Sequence, residues 1–401
     1  MKHQPGLGRI LAVLSLVALL GLLSVGIHAA LGGNRIGADF YFFWTAARAT
    51  FIEHLSPYSP AVTAQIQQGI YGRPALAGED QMIFAYPAHS LLLVGPLAAL
   101  PFDWAQAIWM ALGITGLVLL PLLLFPQRPV WIRLSLILYY PVVLALILGN
   151  FNLAVILAQL VFWGRFLARE TAPRRGEQLG LGFLLALSTI KPQLVWAFLL
   201  LAVLLALRCR AYHLLGGFLG LTLVLLLIPF SYAPNWVGEW LAQIQYYTTF
   251  EHAGGDVVQL MLLQFLTLAG LSGWAADWLV GLTALAGLIS LTCLVFKPAG
   301  RLAAPLPAFG LAGLLIYLFH PSGLSYEQLA LILPMFLWAL HREVNRPAGV
   351  IFWLGGLLLS WAVFFISRSL DQGWILYLPP TMWTLVWWLW LLLPRRRRAG
   401  T

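Results

Sequence analysis

Charge is what this sequence has least of. Of its 401 residues only 9% are charged, 61% are hydrophobic, and the mean hydropathy is +0.86. A soluble domain carries about a quarter charged residues. A water-soluble globular protein is therefore excluded, and lipid is the solvent for most of the chain. Cysteine is nearly missing: Cys209 lies in a basic stretch and Cys293 in an apolar run. Neither has metal-ligand spacing, and no disulfide framework is implied. Also absent are a phosphate loop, a Rossmann glycine fingerprint, a His-Glu-x-x-His pair and a Gly-x-Ser-x-Gly elbow. The chain thus offers no site for ATP or a dinucleotide. Any donor substrate has to arrive already activated, and a membrane setting favours a lipid-linked one. The formal net charge is +9, but no basic stripe on a soluble face accompanies it, so nucleic acid is not an expected partner.

What the sequence has in plenty is apolar runs. Twelve read as crossings: roughly 10–31, 104–125, 131–148, 152–168, 178–190, 193–208, 212–231, 274–296, 303–319, 326–341, 347–367 and 376–393. The first is a retained helix, because it is longer than the apolar core of a signal peptide and more spans follow. Alternating these twelve places every basic segment on one side: Lys2 and Arg9, Arg128 and Arg133, Arg165 to Arg175, Arg208 to His213, Lys297 to Arg301, Arg342 to Arg346, and the tail 394–401. By the positive-inside rule that side is the cytoplasm, with both termini in it. Two apolar stretches remain, about 88–101 and 257–271. Counting either as a crossing breaks the charge pattern, so both read as short, broken or re-entrant segments, tolerated at membrane depth only where protein or a watery cavity covers them. The expectation is one integral membrane domain over 1–401, all-α and polytopic, in the plasma membrane. Its outer loops are 32–87 and 232–272. The first should hold an amphipathic helix from Phe40 to His54 lying in the interface, and the second repeats the theme with Trp236, Trp240 and Tyr247.

Charges in or beside membrane segments are costly and so are candidates for function. Asp39 follows the first span and opens the aromatic stretch. It is either a helix N-cap or a general base for a hydroxyl acceptor. Lys191, in Ser188-Thr189-Ile190-Lys191-Pro192, either snorkels to the surface or holds a lipid phosphate. Glu327 falls about a turn into a span, which is expensive unless it is paired or faces water, and His320 precedes it in a polar turn. Asn150 and Asn152 either cap a helix or bond a ligand. His252 and Asp256 read as ordinary loop residues, and no metal site is expected.

In order along roughly 35–335 run Gly37-Ala38-Asp39-Phe40-Tyr41, Pro57-Tyr58-Ser59-Pro60, Phe84-Ala85-Tyr86-Pro87, Pro96 to Phe102, Ala107-Ile108-Trp109, Gly149-Asn150-Phe151-Asn152, Gly180-Leu181-Gly182 through Lys191-Pro192, and Ser325-Tyr326-Glu327-Gln328. The series resembles the family-87 glycosyltransferases, polyprenol-phosphate-mannose-dependent mannosyltransferases of the GT-C class. Asn150 stands where that family tends to have glutamine, Ala88 where it tends to have a second proline, and Gln328 where it tends to have histidine. The resemblance implies a GT-C-like bundle of about twelve transmembrane helices. It implies transfer of a sugar, usually mannose, from a polyprenyl phosphate to a glycolipid, glycan or protein acceptor on the extracytoplasmic side, as in cell-envelope glycolipid synthesis. Asp39 matches the family's acidic base, with Lys191 and His320 as candidates for the donor phosphate. Tyr41, Tyr86, Asn150, Asn152, Tyr326, Glu327 and Gln328 are candidates for substrate contact. One base opposite the leaving group would invert the sugar's configuration, with no metal and no cofactor beyond the lipid-linked donor. The rival reading is a lipid or solute transporter with its cavity open to the outer face, which predicts paired broken helices and inverted repeats.

Overall fold

The computed structural model describes residues 5–76, 79–167, 173–247, 251–252, 256–257, 260–296, 305–321, 325–340, 347–370 and 373–392. Among them are eighteen α-helices and one short antiparallel pairing, Glu251 with Val257 and His252 with Asp256. Apart from that pairing, the architecture of the described residues is helical.

Among the described residues, six helices are long and apolar enough to cross a bilayer: Gly8–Leu31, Phe102–Leu124, Tyr212–Ser231, Trp274–Phe296, Gly349–Leu370 and Trp374–Leu392. A seventh crossing arises if Val130–Leu138 and Tyr140–Leu148, bent by 60°, form one span. The chain is a multi-pass membrane protein. The other five expected crossings coincide with shorter helices: Phe151–Leu167 (17 residues), Arg175–Leu187 (13), Trp196–Arg208 (13), Pro305–Leu318 (14) and Leu329–Trp338 (10). At 1.5 Å per residue these reach about 15 to 25 Å, less than the roughly 30 Å of a hydrocarbon core. Every residue of Leu329–Trp338 is buried by protein, and a helix that does not face lipid need not match its thickness. The two leftover stretches are shorter again. The first holds Leu91–Val94 between two tight turns, and the second holds Met261–Leu268.

The chain divides into two compact units. The first comprises 1–121, 144–154 and 225–257. Its centre is the helix Ala38–Phe51, which packs against Pro60–Tyr71 and Leu91–Val94. Ser59 caps the Pro60–Tyr71 helix by accepting from the Val62 amide, Pro60 supplies the first turn, and Gly72, at φ +70°, ends it. That is the usual distribution of these residue types at helix ends. The Ala38–Phe51 helix is not the half-exposed interfacial helix expected. Phe40, Phe43, Ala47 and Thr50 are buried, but so are Phe42, Thr45, Ala46 and Ala49 on its other sides. It ends at Phe51, and His54 lies beyond it in a left-handed turn. Trp236 and Trp240 likewise bind protein. Trp236 is fully buried, and the Trp240 indole donates to the Ala85 carbonyl at 3.0 Å.

The second unit comprises 122–143, 155–224 and 258–401. Hydrophobic burial contributes little between helices in lipid, so close packing and polar ties must hold them. Trp163, Phe198 and Phe309 interlock, with ring centroids 4.6 and 4.8 Å apart in the two pairs that Phe309 makes. A Cβ added at Gly182 would meet the Leu214 carbonyl oxygen at 2.3 Å, so Arg175–Leu187 and Tyr212–Leu227 touch backbone to backbone. Trp353 is tied at both ends, accepting at its carbonyl from the Tyr139 hydroxyl and donating its indole N–H to Ser135.

Candidate functional site

Two clusters gather the candidate residues, one in each unit. In the first unit, Gly37 rather than Asp39 occupies the cap of the Ala38–Phe51 helix. Asp39 sits in the first turn, where the positive end of the helix favours a carboxylate. Its Oδ2 accepts from Asn150 Nδ2 at 2.7 Å. Asn150 Oδ1 accepts from the Asn152 amide at 2.9 Å, capping the helix that starts at Phe151. The cap fixes which end of the Asn150 amide faces Asp39: the oxygen is taken, so the NH₂ points at the carboxylate.

The approach is tight because Gly149 allows it. Its φ is +70°, and a Cβ there would lie 2.5 Å from Phe40 Cβ. Its carbonyl accepts from the Trp109 indole at 3.0 Å, and Phe43 stacks on Phe151 with centroids 3.6 Å apart. Tyr86 meets the Phe43 ring edge to face at 5.0 Å, and its carbonyl accepts from the Tyr58 hydroxyl at 2.8 Å. Burial, with Tyr232 and Glu239 nearby, pushes the Tyr58 phenol far up, so it remains a donor. Tyr41 is elsewhere: it sits about 200° around the helix from Asp39, against Phe102 and under the Arg35 guanidinium.

In the second unit, Lys191 occupies a break between two tight turns, 188–190 and 192–194. It does not snorkel. It is 2% exposed, and its Nζ donates to Glu327 Oε1 at 2.7 Å. The other carboxylate oxygen, Oε2, lies 3.2 Å from His320 Nε2, and the Lys191 ammonium lies 5.4 Å from the centre of the Tyr326 ring. Glu327, costly alone, is therefore paired. The His320 carbonyl accepts from the Met261 amide at 3.1 Å, tying the Met261–Leu268 helix to this cluster. Residues 322–324 of the polar turn lie outside the described residues. Gln328 is turned to a structural task, donating to the Leu376 carbonyl at 2.7 Å.

Two residues that the sequence reading passed over support these clusters. Gln106 is buried in the apolar Phe102–Leu124 helix. Its Oε1 accepts from the Ile36 and Gly37 amides and its Nε2 donates to the Asn34 carbonyl, which fixes the chain entering Asp39. Gln159, equally buried, donates to Ser188 Oγ and accepts from the Trp163 indole, which fixes the turn entering Lys191. An amide inside an apolar run was the signal for both. Among the described residues no group of three or more His, Cys, Asp or Glu side chains is placed to hold a metal ion.

The model of glycosyltransferase family 87 matches residues 84–321, more than half of the chain. The chain belongs to glycosyltransferase family 87. No curated protein and no solved structure matches it. As a family-87 glycosyltransferase it is a transferase, acting between a sugar donor and an acceptor. The matched stretch contains Tyr86, Asn150, Asn152, Lys191 and His320. Asp39 and Glu327 fall outside it, yet each is bonded to a residue within it, Asp39 to Asn150 and Glu327 to Lys191.

Proposed function

We propose that this family-87 glycosyltransferase moves a sugar, mannose by resemblance, from a polyprenyl phosphate to an acceptor hydroxyl on the extracytoplasmic side of the plasma membrane. The observation that carries the reading is the Asp39 carboxylate, half-buried in the first helical turn and aimed by Asn150. Asp39 takes the proton of the acceptor hydroxyl as its oxygen bonds the anomeric carbon. The bond from that carbon to the phosphate oxygen breaks, and the polyprenyl phosphate leaves with the electron pair. Attack opposite the leaving group inverts the anomeric centre, by analogy with single-displacement glycosidases. By resemblance, Lys191 and His320 are the candidates for binding the donor phosphate, on which negative charge grows as the sugar departs. Glu327 holds the ammonium in place, and the three N–H donors of an ammonium let it serve more than one acceptor.

The short helices complete a bundle of about twelve crossings, which is the count that puts all the basic segments in the cytoplasm. The test is transfer itself. Purified protein in detergent is given radiolabelled polyprenyl-phosphate mannose and a crude lipid extract from the source cells. Label should appear in a new product, and Lys191→Ala should slow its appearance at low donor concentration. A donor left intact across several lipid-linked sugars and acceptor extracts contradicts the reading.

A further inference from the structure

An open cleft of about 730 Å³ lies in the first unit between the Ala38–Phe51 and Pro60–Tyr71 helices, within the size range of small-molecule sites. It is not the Asp39 face. Thr45, which lines it, is about 240° around the helix from Asp39. Its floor is built by a close approach: a Cβ at Gly69 would fall 2.0 Å from the Tyr41 hydroxyl oxygen.

The lining carries an unmet hydrogen-bonding group. Thr45 is 6% exposed, and its hydroxyl has no partner, although a buried hydroxyl without one is costly. Around it stand donors and acceptors in mixture. The Arg35 and Arg48 guanidinium groups are each anchored by one bond to a backbone carbonyl, Gly69 and Ala98 respectively. Gln65 and Gln68 each spend their Nε2 on a protein acceptor, on Glu53 and on the Gly72 carbonyl, which presents their amide oxygens as acceptors. Glu53 also lies 3.9 Å from Arg48 and offsets its charge. A phosphate or carboxylate wants donors alone, and this wall has a carboxylate and two amide oxygens. A polyhydroxylated ligand, each hydroxyl both giving and taking a bond, fits both halves of the wall.

We propose that this cleft is a second saccharide site, which holds a neutral oligosaccharide portion of the acceptor away from the reacting hydroxyl. The proposal rests on the transferase reading for naming the acceptor as the source of that glycan. The test is binding without turnover. Full-length protein in detergent is examined by saturation-transfer NMR with α-linked mannotriose, glucotriose and galactotriose, and with inorganic phosphate as competitor. At least one trisaccharide should receive saturation, and excess phosphate should not displace it. Thr45→Val should weaken binding roughly five-fold, the factor for one lost neutral hydrogen bond. Gln65→Leu, at an exposed position that spares the fold, should weaken it similarly. Asp39→Asn should leave the signal in place. No saturation of any trisaccharide, displacement by phosphate, or full binding in both Thr45→Val and Gln65→Leu would overturn the proposal. Saccharide binding that persists in a protein with no transfer activity would fault the transferase reading and leave the cleft standing. Transfer activity without saccharide binding would do the reverse.

Discussion

Asn150 faces two ways at once: its oxygen caps a helix and its NH₂ meets Asp39. This divides its roles experimentally. Asn150→Ser keeps an oxygen that can cap the helix but is too short to donate to Asp39. Transfer should fall at least ten-fold while thermal stability of the purified protein shifts little. An equal loss of both would make Asn150 merely structural. A second residue-scale prediction concerns pH. Arg73 donates to both oxygens of Glu79 at 2.7 Å, and the Leu76 amide adds a third bond. These hold the Glu79 carboxyl at about 2, below its ordinary 4.5. A carboxyl lowered by folding stabilises above its unfolded value and loses that contribution as pH falls through its folded one. Carboxyl titration of Glu79, followed by NMR on selectively labelled protein, should therefore show a midpoint near 2 and no change between pH 5 and 8. A midpoint near 4.5 would mean the clip does not form in solution. Asp39 and Lys191 were legible as charges where lipid makes charge expensive. What each one touches was not, because Asn150 and Glu327 are 111 and 136 residues away and only the fold brings such pairs together.

At the scale of elements, glycine sets how closely the helices approach. Gly182 sits against the backbone of the Tyr212–Leu227 helix, whereas nothing lies within 4 Å of a Cβ built on Gly216. Gly182→Leu should sharply lower the yield of monodisperse protein on size exclusion, and Gly216→Leu should leave it close to wild type. Similar yields would mean the two helices do not meet as described. Run length located apolar helices along the chain, but hydropathy cannot distinguish a run that faces lipid from one enclosed by protein. Leu329–Trp338, ten residues and wholly buried, therefore reads in sequence much like the largely exposed Gly349–Leu370 helix. The same ambiguity affects the aromatic helix Ala38–Phe51. Its residues Phe40, Phe43 and Ala47 suggested one apolar face, while small Ala46 and Ala49 allowed the opposite side to pack as well.

At the scale of the molecule, the basic segments make orientation testable. In a background with Cys209 and Cys293 replaced by serine, a cysteine at exposed Leu76 should react with an impermeant maleimide on intact cells. One at Gln127 should react only after permeabilisation. Labelling of both from outside would break the twelve-crossing scheme. Family membership fixes the class of reaction, and the chemistry assigned to it depends on a single carboxylate. The most direct measurement is therefore sugar transfer by Asp39→Asn beside wild type at equal folded yield. Asparagine keeps the shape and cannot accept the proton, so transfer should fall by about a hundred-fold or more, the scale of a lost general base. Undiminished transfer by Asp39→Asn would contradict the account at its centre.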